Sequence, residues 1–389
     1  VFRTLQMLPG VQTTSDFSSA LYVRGSTPDQ NLIMLDGIAV YNPYHLGGIF
    51  STFNTDAIKE ADFHAGGFPA RYGGRMGAIL NVINREGNTE KITGSANLSL
   101  ISSKALIEGP LPKWKGMKGS WMISGRRTYI DKVVDALALP SGSKNSDGSD
   151  IPLRFPYYFY DYQIKANLDI DQDHRLTFTR FYGDDVLDFY YEDPSETVSN
   201  ENVTIQQDSK FGLDWPWGNQ TNGLTWRWIV SPKMITKTFL SNSRYRFDFD
   251  LFFQNRDLYT YSDSTVINFI NFNWNIYDII KDRTLETEVQ YKYSNDHELT
   301  GGFQIKKIRF DLGIQYDLET QDTSFTWNPL SLKNNTQEIS FFLQDRWEVS
   351  KRLKIRSGLR LTDYNLHKKI YADPRIGMKY HISDDIALK

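Results

Sequence analysis

Alternation of apolar and polar residues with a period of two is the feature that most restricts how this chain can fold. It runs from about residue 92 to the end and is clearest in segments 158–170, 285–293, 307–318 and 353–361. Because successive side chains of a strand point to opposite faces, each segment predicts a strand with one apolar and one polar face. Several segments reach the ~9–11 residues with which a tilted strand crosses a bilayer.

The phase of the alternation predicts which side chains would face lipid. Apolar residues occupy the even positions from Tyr158 to Ile170 and from Ile308 to Leu318. They occupy odd positions from Leu285 to Tyr293 and from Leu353 to Leu361. We expect these faces to point outward and the intervening polar residues to face a wet lumen. The residues expected in the lumen include Asp161, Gln163, Lys165, Asn167, Glu286, Glu288, Arg309 and Arg360.

Composition separates a membrane barrel from a soluble β-protein. Aromatic residues make up 14% of a chain that is only 40% hydrophobic. No apolar run approaches the ~18 residues of a transmembrane helix, whereas outer-membrane barrels combine aromatic girdles with a polar lumen. A soluble sandwich or propeller is the alternative. It fits less well, because charged residues alternate along whole strands and no repeat of ~40 residues is present.

The connections between strands alternate between short turns and long polar segments. The short turns lie at 171–174, 231–233, 294–297, 350–351 and 383–385, and the long segments lie near 131–156, 191–210, 254–273 and 319–336. Outer-membrane barrels have short periplasmic turns and longer extracellular loops. We therefore count about thirteen strands after residue 92 and predict the long segments to be extracellular loops.

The first ninety residues are irregular and rich in glycine, and they carry four motifs in a fixed order. These are Pro9-Gly10-Val11, Arg24-Gly25, Leu35-Asp36-Gly37 and Arg71-Tyr72-Gly73-Gly74-Arg75. The order resembles the plug domain of TonB-dependent outer-membrane receptors, where PGV, RG, LDG and RYG-x-R recur in this sequence. By this resemblance, the candidate plug residues with a structural or gating role are Arg24, Gly25, Asp36, Gly37, Arg71, Tyr72, Gly73 and Arg75.

The resemblance implies an all-β membrane protein in the outer membrane of a Gram-negative bacterium. A globular α+β plug (residues 1–91) would lie in the lumen of a large antiparallel transmembrane β-barrel (residues 92–389). About 13 of the family's 22 strands would be present. We therefore expect an internal stretch of a longer chain, incomplete at both ends, with its first and last barrel strands apart.

Tyr41-Asn42-Pro43 resembles one subfamily, whose members often carry a carboxypeptidase-regulatory-like domain ahead of the plug. The sequence departs from SusC-type glycan importers, so the resemblance does not imply a SusD-like lid.

As to function, the resemblance implies a receptor that imports a scarce ligand, with energy relayed from the proton gradient by TonB, ExbB and ExbD. Outer-membrane lipid would surround it, and no catalytic residue or cofactor is expected. The alternative is a plugged barrel that serves as a structural subunit of an outer-membrane protein complex. The sequence does not identify the ligand.

Two of the plug arginines have a physical reason to matter. Arg71 and Arg75 could bind inward carboxylates bidentately, and Glu286 and Glu288 are the type of partner available. Asp36-Gly37 predicts a turn between two plug strands.

Other chemistry finds little support. The net charge of -3 argues against nucleic acid. Cysteine is absent, and the six histidines show no metal-ligand spacing. Two acidic clusters, at 184–188 and 192–193, could indicate glycosidase chemistry or calcium ligation, but a hydrated loop base is favoured. The aromatic run 157–160 is predicted to belong to the outer girdle. Trp215 and Trp217 are the loop candidates for contact with a ligand.

Overall fold

The computed structural model describes residues 2–388 except 14, 16–17, 113–115, 138–139, 145–149, 153–155, 201, 368 and 384–385. The N-terminal part is a small α+β unit of short elements. They are α1 (Phe2–Leu5), β1 (Val11–Gln12), β2 (Tyr22–Val23), β3 (Leu32–Leu35), β4 (Ile38–Ala39), β5 (Tyr44–His45), β6 (Phe50–Ser51), β7 (Ile58–His64) and β8 (Ile79–Asn84), with single 3-10 turns at Pro28–Gln30, Leu46–Gly48 and Thr55–Ala57.

A four-stranded sheet organises this unit. Its order is β4-β3-β8-β7, with β3 parallel to β8 and antiparallel to β4. The β3–β4 turn is Asp36-Gly37, and both residues have positive φ (50° and 84°). A two-residue hairpin turn of this type favours Asp-Gly, as the sequence predicted. Apolar side chains of the sheet pack with those of the N-terminal segment into the unit's own core: Phe2, Leu21, Val23, Ile33, Leu35, Phe53, Leu80 and Val82.

The rest of the chain forms one antiparallel sheet of 13 strands, in which neighbours in the chain are neighbours in the sheet. This confirms the strand count and rules out the sandwich and propeller alternatives. In chain order the elements are β9 (Thr93–Leu98), β10 (Ser102–Pro110), β11 (Lys118–Thr128), α2 (Ile130–Leu137), β12 (Pro140–Lys144), β13 (Asp150–Pro152), β14 (Tyr157–Asp169), β15 (His174–Ser199), β16 (Val203–Ser231), β17 (Met234–Tyr261), β18 (Thr265–Lys292), β19 (His297–Thr320), β20 (Ser324–Glu348), β21 (Leu353–Tyr364), β22 (Ile370–His381) and β23 (Ala387–Leu388).

Within this list, β12 and β13 form a separate hairpin. Strands β9 and β23 lie at opposite ends of the large sheet, and no pairing joins them in the described part of the chain. No helix there combines the length and apolar character needed to cross a membrane.

Strand β14 shows the expected alternation directly. Its odd positions from Tyr157 to Asn167 are buried, while the even positions from Tyr158 to Ala166 are only partly buried. The buried face is covered by the N-terminal unit, which therefore lies on the inner side of the sheet. The apolar even positions face outward, as predicted.

The long polar segments are not loops, with the exception of part of 131–156. Residues 191–199, 254–261 and 319–320 continue strands of 26, 28 and 24 residues, and the turns that follow are only a few residues long. The prediction was wrong because it took polarity as a sign of a loop. A strand that rises above the lipid meets water on its outer face and needs no apolar side chains there.

The predicted orientation of segment 307–318 is also wrong. Ile308 pairs with Asp282, and Phe310 pairs with Ile280, which in turn pairs with Tyr245. Asp282 and Tyr245 both bond to the N-terminal unit, so Ile308 and Phe310 lie on the inner face. The apolar face of the sheet thus changes sides above the lipid, and Arg309 points outward.

Candidate functional site

The contact between the N-terminal unit and the inner face of the sheet is the first candidate site, and we call it the plug–barrel interface. It contains many ion pairs and hydrogen bonds, together with apolar contacts of Phe181 with the core of the unit and of Ala57 with Leu106 and Met122. Four groups of side chains form it, centred on Arg71, Asp36, His45 and Tyr41.

Arg71 binds two glutamates of β18. Its Nη2 lies 2.6 Å from Glu286 Oε1, and its Nη1 lies 3.3 Å from Glu288 Oε2. Both carboxylates are almost completely buried. Burial alone would lower the pKa of Arg71, but Glu286 and Glu288 raise it overall. The sequence analysis named these glutamates as the type of partner available, and the structure pairs them with Arg71.

Arg360 of β21 supports this group from the other side. It is 1% exposed, and it donates to the Arg71 carbonyl oxygen (2.6 Å) and to Glu338 Oε1 (3.0 Å). A Cβ at Gly73 would lie 2.4 Å from Arg360 Nε. Glycine at position 73 is thus required by the close approach of a buried guanidinium. Tyr72 adds its ring, 5.3 Å from Arg71 Cζ.

Arg75 differs from Arg71. Its Nη1 donates to the neighbouring Gly74 carbonyl oxygen at 2.9 Å, and it has no ion pair with a carboxylate among the described residues. The geometry therefore does not bring Arg75 to the glutamates as expected. The gating role of either arginine stays a prediction.

Asp36 does more than form a turn. Its Oδ1 accepts a hydrogen bond from Lys165 Nζ of β14 at 2.7 Å, and both side chains are buried. Asn84 donates to Asp36 through its backbone N–H and its side-chain amide. The turn residue thus joins the plug sheet to the barrel wall. Arg24 and Gly25, by contrast, form an exposed turn with positive φ (51° and 82°) after β2.

His45 forms a buried charged cluster that sequence reasoning missed. Its Nδ1 lies 2.6 Å from Asp185 Oδ2, and its Nε2 lies 3.4 Å from Asp161 Oδ2. Arg126 also binds Asp161, and the Tyr157 hydroxyl donates to Asp185. Burial alone would lower the pKa of His45, but the hydrogen bonds and charges of the two aspartates raise it overall. The imidazole therefore favours its charged form.

Further contacts lie around Tyr41 and Asn42. The Tyr41 hydroxyl donates to Asp282 Oδ2 at 2.8 Å, and Asn219 Nδ2 donates to the Asn42 carbonyl oxygen at 2.7 Å. Ser243 donates to the Ala39 carbonyl oxygen at 2.7 Å. These residues fix β4 and the segment after it against β16, β17 and β18.

The acidic clusters lie on a strand and not at a loop base, and they divide into buried Asp184 and Asp185 and exposed Asp188 and Glu192. Asp185 is buried at the plug–barrel interface, and Asp184 is buried on the outer face, where Arg246 Nη2 lies 2.8 Å away. Glu192 pairs with Lys210 at 2.9 Å, and the side chain of Asp193 lies outside the described residues. The described residues contain no group of three His, Asp or Glu side chains able to hold a metal ion.

Trp215 and Trp217 lie on strand β16, not in a loop. Trp217 pairs with Asp185 and stacks at 6.2 Å on Tyr157, so it faces the lumen. Tyr157 and Phe159 face inward as well, at 0% and 1% exposure. The prediction of an outer girdle was therefore wrong for these two rings. The phase of β14 could have shown this, since odd positions of that strand face the lumen.

The two tryptophans begin a continuous row of rings, which we call the aromatic wall. Successive ring centroids lie 5.2–6.2 Å apart. The row crosses the strands above the N-terminal unit, on the inner face of the sheet. Its members are Tyr157, Trp217, Trp215, Phe249, Trp274, Tyr316 and Trp327.

The aromatic wall also carries free hydrogen-bond donors. The Nε1 atoms of Trp215 and Trp274 are shielded from water and have no hydrogen-bond partner in the part of the chain that is described. Buried N–H groups in proteins are nearly always satisfied, by protein groups or by ordered water. Apolar rings with a few convergent donors are the usual lining of a small-molecule site.

Comparison with known proteins places both parts of the chain. Residues 1–79 match the family model described as TonB-dependent Receptor Plug Domain, and residues 138–389 match the model described as TonB dependent receptor-like, beta-barrel. No curated protein matches the chain.

Several solved structures are similar at low sequence identity. The siderophore receptor PirA from Pseudomonas aeruginosa is 12% identical over 99% of this chain and 90% of its own, with a TM-score of 0.33. The ferric yersiniabactin uptake receptor FyuA from Yersinia pestis is 10% identical over 97% and 73%, with a TM-score of 0.37. The copper transporter OprC is 9% identical over 98% and 73%, with a TM-score of 0.40.

Proposed function

The chain belongs to the TonB-dependent receptor family, and from this premise we propose that it imports a scarce ligand across the outer membrane with energy relayed by TonB, ExbB and ExbD. Members of the family are outer-membrane β-barrels of Gram-negative bacteria and are not enzymes. The plug would bind ligand from above and would be displaced from below. Its polar attachment to the barrel is the observation that carries the proposal.

A polar interface suits a plug that has to move. The contacts of Arg71, Asp36 and His45 with the barrel are ion pairs and hydrogen bonds, which water can replace when the plug shifts. The apolar core of the plug is formed mostly by its own side chains, with Phe181 of β15 as the barrel residue in the cluster, so displacement as a unit exposes a limited apolar surface. An interface built from apolar side chains would resist the same movement.

The aromatic wall supports a ligand with a planar or apolar part. Its rings offer stacking surfaces for such a part. The alternative, a structural subunit without import, is less well supported. A subunit of that kind would need its spare aromatic surface on the outside, where partners bind.

We also place the boundary between the two domains within residues 85–92, with the plug at 1–91 and the barrel at 92–389. The last plug strand ends at Asn84 and the first strand of the large sheet begins at Thr93. To test this boundary, the plug is expressed without the sheet. Limited proteolysis then shows whether the chain becomes accessible to cleavage from residue 85 onward.

Import is tested in two steps. First, the purified receptor is incubated with spent culture medium, and mass spectrometry identifies molecules that the wild type retains and the variant Trp215→Ala/Trp274→Ala loses. Trp228→Ala is the matched control, because Trp228 lies on the outer face of β16. Second, uptake of the retained molecule is compared in cells with and without TonB. Equal uptake in both would contradict the proposal.

A further inference from the structure

Five cations gather on the outer face of three neighbouring strands. Asp282 of β18 faces inward, because it binds Tyr41 of the plug. Its chain neighbours Lys281 and Arg283 therefore point outward. Strand pairing extends the group to β17 and β19. We call it the cationic patch, and its members are Arg244, Lys281, Arg283, Lys307 and Arg309.

Within the patch, cations stand directly opposite cations. Lys281 pairs with Arg244 on one side and with Arg309 on the other. Arg283 pairs with Lys307. Like charges directly opposite in antiparallel strands are destabilising, so folding alone gives no reason to concentrate them here.

The cations nearest the lipid have no acidic partner. Lys281, Arg283 and Lys307 have neither an ion pair nor a side-chain hydrogen bond among the described residues, whereas Arg244 interacts electrostatically with Asp184 above it. Cations at the upper edge are neutralised. Arg309 lies 3.0 Å from Asp311, and in the next outward position above Arg244, Arg246 binds Asp184 at 2.8 Å.

The position of the cationic patch relative to the lipid indicates which anionic groups could neutralise its charge. One step below it on the same face, Leu240, Leu285 and Ile305 form a row across β17, β18 and β19. Leu240 is 56% exposed, as expected for a side chain in contact with acyl chains. Arg283 and Lys307 occupy the next outward positions above Leu285 and Ile305. Lipid head groups begin at that level, where the apolar face ends.

We propose that the cationic patch binds the phosphate groups of a lipid in the outer leaflet. Arginine forks match phosphate oxygens bidentately, and lysine adds compact point charges. A lipid with two phosphates would bridge Lys281 to Arg283 and Lys307 while its acyl chains lie along the apolar row. Bound phosphate would also remove the repulsion between the facing cations.

The test uses the full chain in nanodiscs of phosphatidylcholine with either bisphosphorylated lipid A or lipid A from which both phosphates have been removed. Native mass spectrometry counts the lipid A molecules that stay bound. The wild type should retain the phosphorylated form at least ~10-fold better, because several basic residues near an anionic head group add their attractions. Equal retention of both forms by the wild type would overturn the proposal, whatever the variants do.

The matched variants separate the patch from net charge. Lys281→Gln/Arg283→Gln/Lys307→Gln should lose the preference. Lys233→Gln/Lys351→Gln/Arg352→Gln removes as many charges from exposed turns at the opposite end of the strands and should keep it. Heat-dependent gel mobility reports that both variants are folded. Loss of the preference in both, or in neither, would also overturn the proposal.

Discussion

The charges of the plug–barrel interface lie on a few buried side chains, and these side chains contribute differently to the stability of the interface. Glu286 and Glu288 are both buried and share Arg71 as a partner. Removing the guanidinium would leave two carboxylates unpaired in the interface. Breaking a buried ion pair from one side costs ~3–5 kcal/mol, whereas a loss at a surface position stays within ~0.5 kcal/mol.

We therefore expect Arg71→Ala to loosen the plug and Arg75→Ala to leave it in place. The reason is that Arg71 binds carboxylates of the sheet, while Arg75, among the described residues, donates to its neighbour Gly74 and to no carboxylate. The measurement is entry of a large antibiotic into cells with matched receptor levels. The same permeability in the two variants would contradict the assignment of the anchoring contact to Arg71.

His45 makes the attachment of the plug sensitive to pH. Its folded-state pKa is raised above the ordinary value of about 6.5. The stabilisation is thus fully present below that ordinary value and is lost as the pH rises through the raised pKa. Asp161, Asp185, Arg126 and Tyr157 surround the ring.

We expect hydrogen exchange of the plug amides to accelerate across that pH window in the wild type. In His45→Gln this pH-dependent step should be absent. His64→Gln is the control, because the described partners of His64, Asp62 and the ring of Tyr72, both belong to the plug itself. A step that persists in His45→Gln would assign the pH dependence to another group.

Single residues also show the limit of reading a lumen face from sequence. Asn167 was correctly placed on the inner side of β14, but it is 1% exposed and donates to the Glu86 carbonyl oxygen at 2.8 Å. Where the plug fills the lumen, a side chain that points inward contacts the plug and is not exposed to water. Which inner residues meet the plug depends on how two separately folded units dock, and local alternation carries no information on that.

At the scale of the strands, the apolar face changes sides along a single element. In β18 the residues Leu285 and Val289 face lipid, whereas Trp274 and Ile276 face the lumen higher up. Alternation with a period of two predicts a strand in both halves. It does not show which face of each half points outward and which points into the lumen. The sequence was thus enough to predict the number of strands and the orientation of side chains in the lower halves. The orientation of side chains in the upper halves follows only from the pairing register.

Leu343 and Gln337 test the depth of the lipid on strand β20. Both point outward, since they pair with Gly301 and Lys307 of β19, and Leu343 is 59% exposed. Leu343→Arg should cost ~2–4 kcal/mol, and Gln337→Arg should cost ~0–1 kcal/mol, because the penalty falls from the bilayer midplane to the interface. Reversible unfolding in lipid vesicles measures both. Similar costs at the two positions would contradict the assigned lipid level.

At the scale of the whole molecule, plug and sheet are two units joined by contacts far apart in sequence. The order of the plug motifs was enough to predict a plug in a lumen. The partners were harder to predict: Arg71 with Glu286 could be suggested from charge, but His45 with Asp185 could not. His45 has no neighbouring residues at the spacing of metal ligands, so nothing in the sequence marks it as functional. Its role is visible only in the folded chain, where the aspartates lie beside it.

A tether between the two units separates binding from import. The chain has no cysteine, so Ala39→Cys/Ser243→Cys introduces one isolated pair where Ser243 bonds to the Ala39 carbonyl. Oxidised receptor should still bind ligand but should import none, and reduction should restore import. Continued import by the oxidised form, verified as cross-linked, would mean that the plug does not leave this position. Ala39→Cys alone is the control.

The length of the central strands has a mechanical consequence. Strand β17 is hydrogen-bonded to both neighbours along most of its 28 residues, from the periplasmic turn to its upper end. A hinge needs a few residues whose dihedral angles are free to change, and the pairing of β17 with β18 runs without a register shift from Met234 to Thr260. The upper wall is therefore a stiff rim. Under the proposed function, it would meet the ligand already shaped, without the entropy that ordering a mobile lid would cost, and the gating motion would come from the plug beneath it.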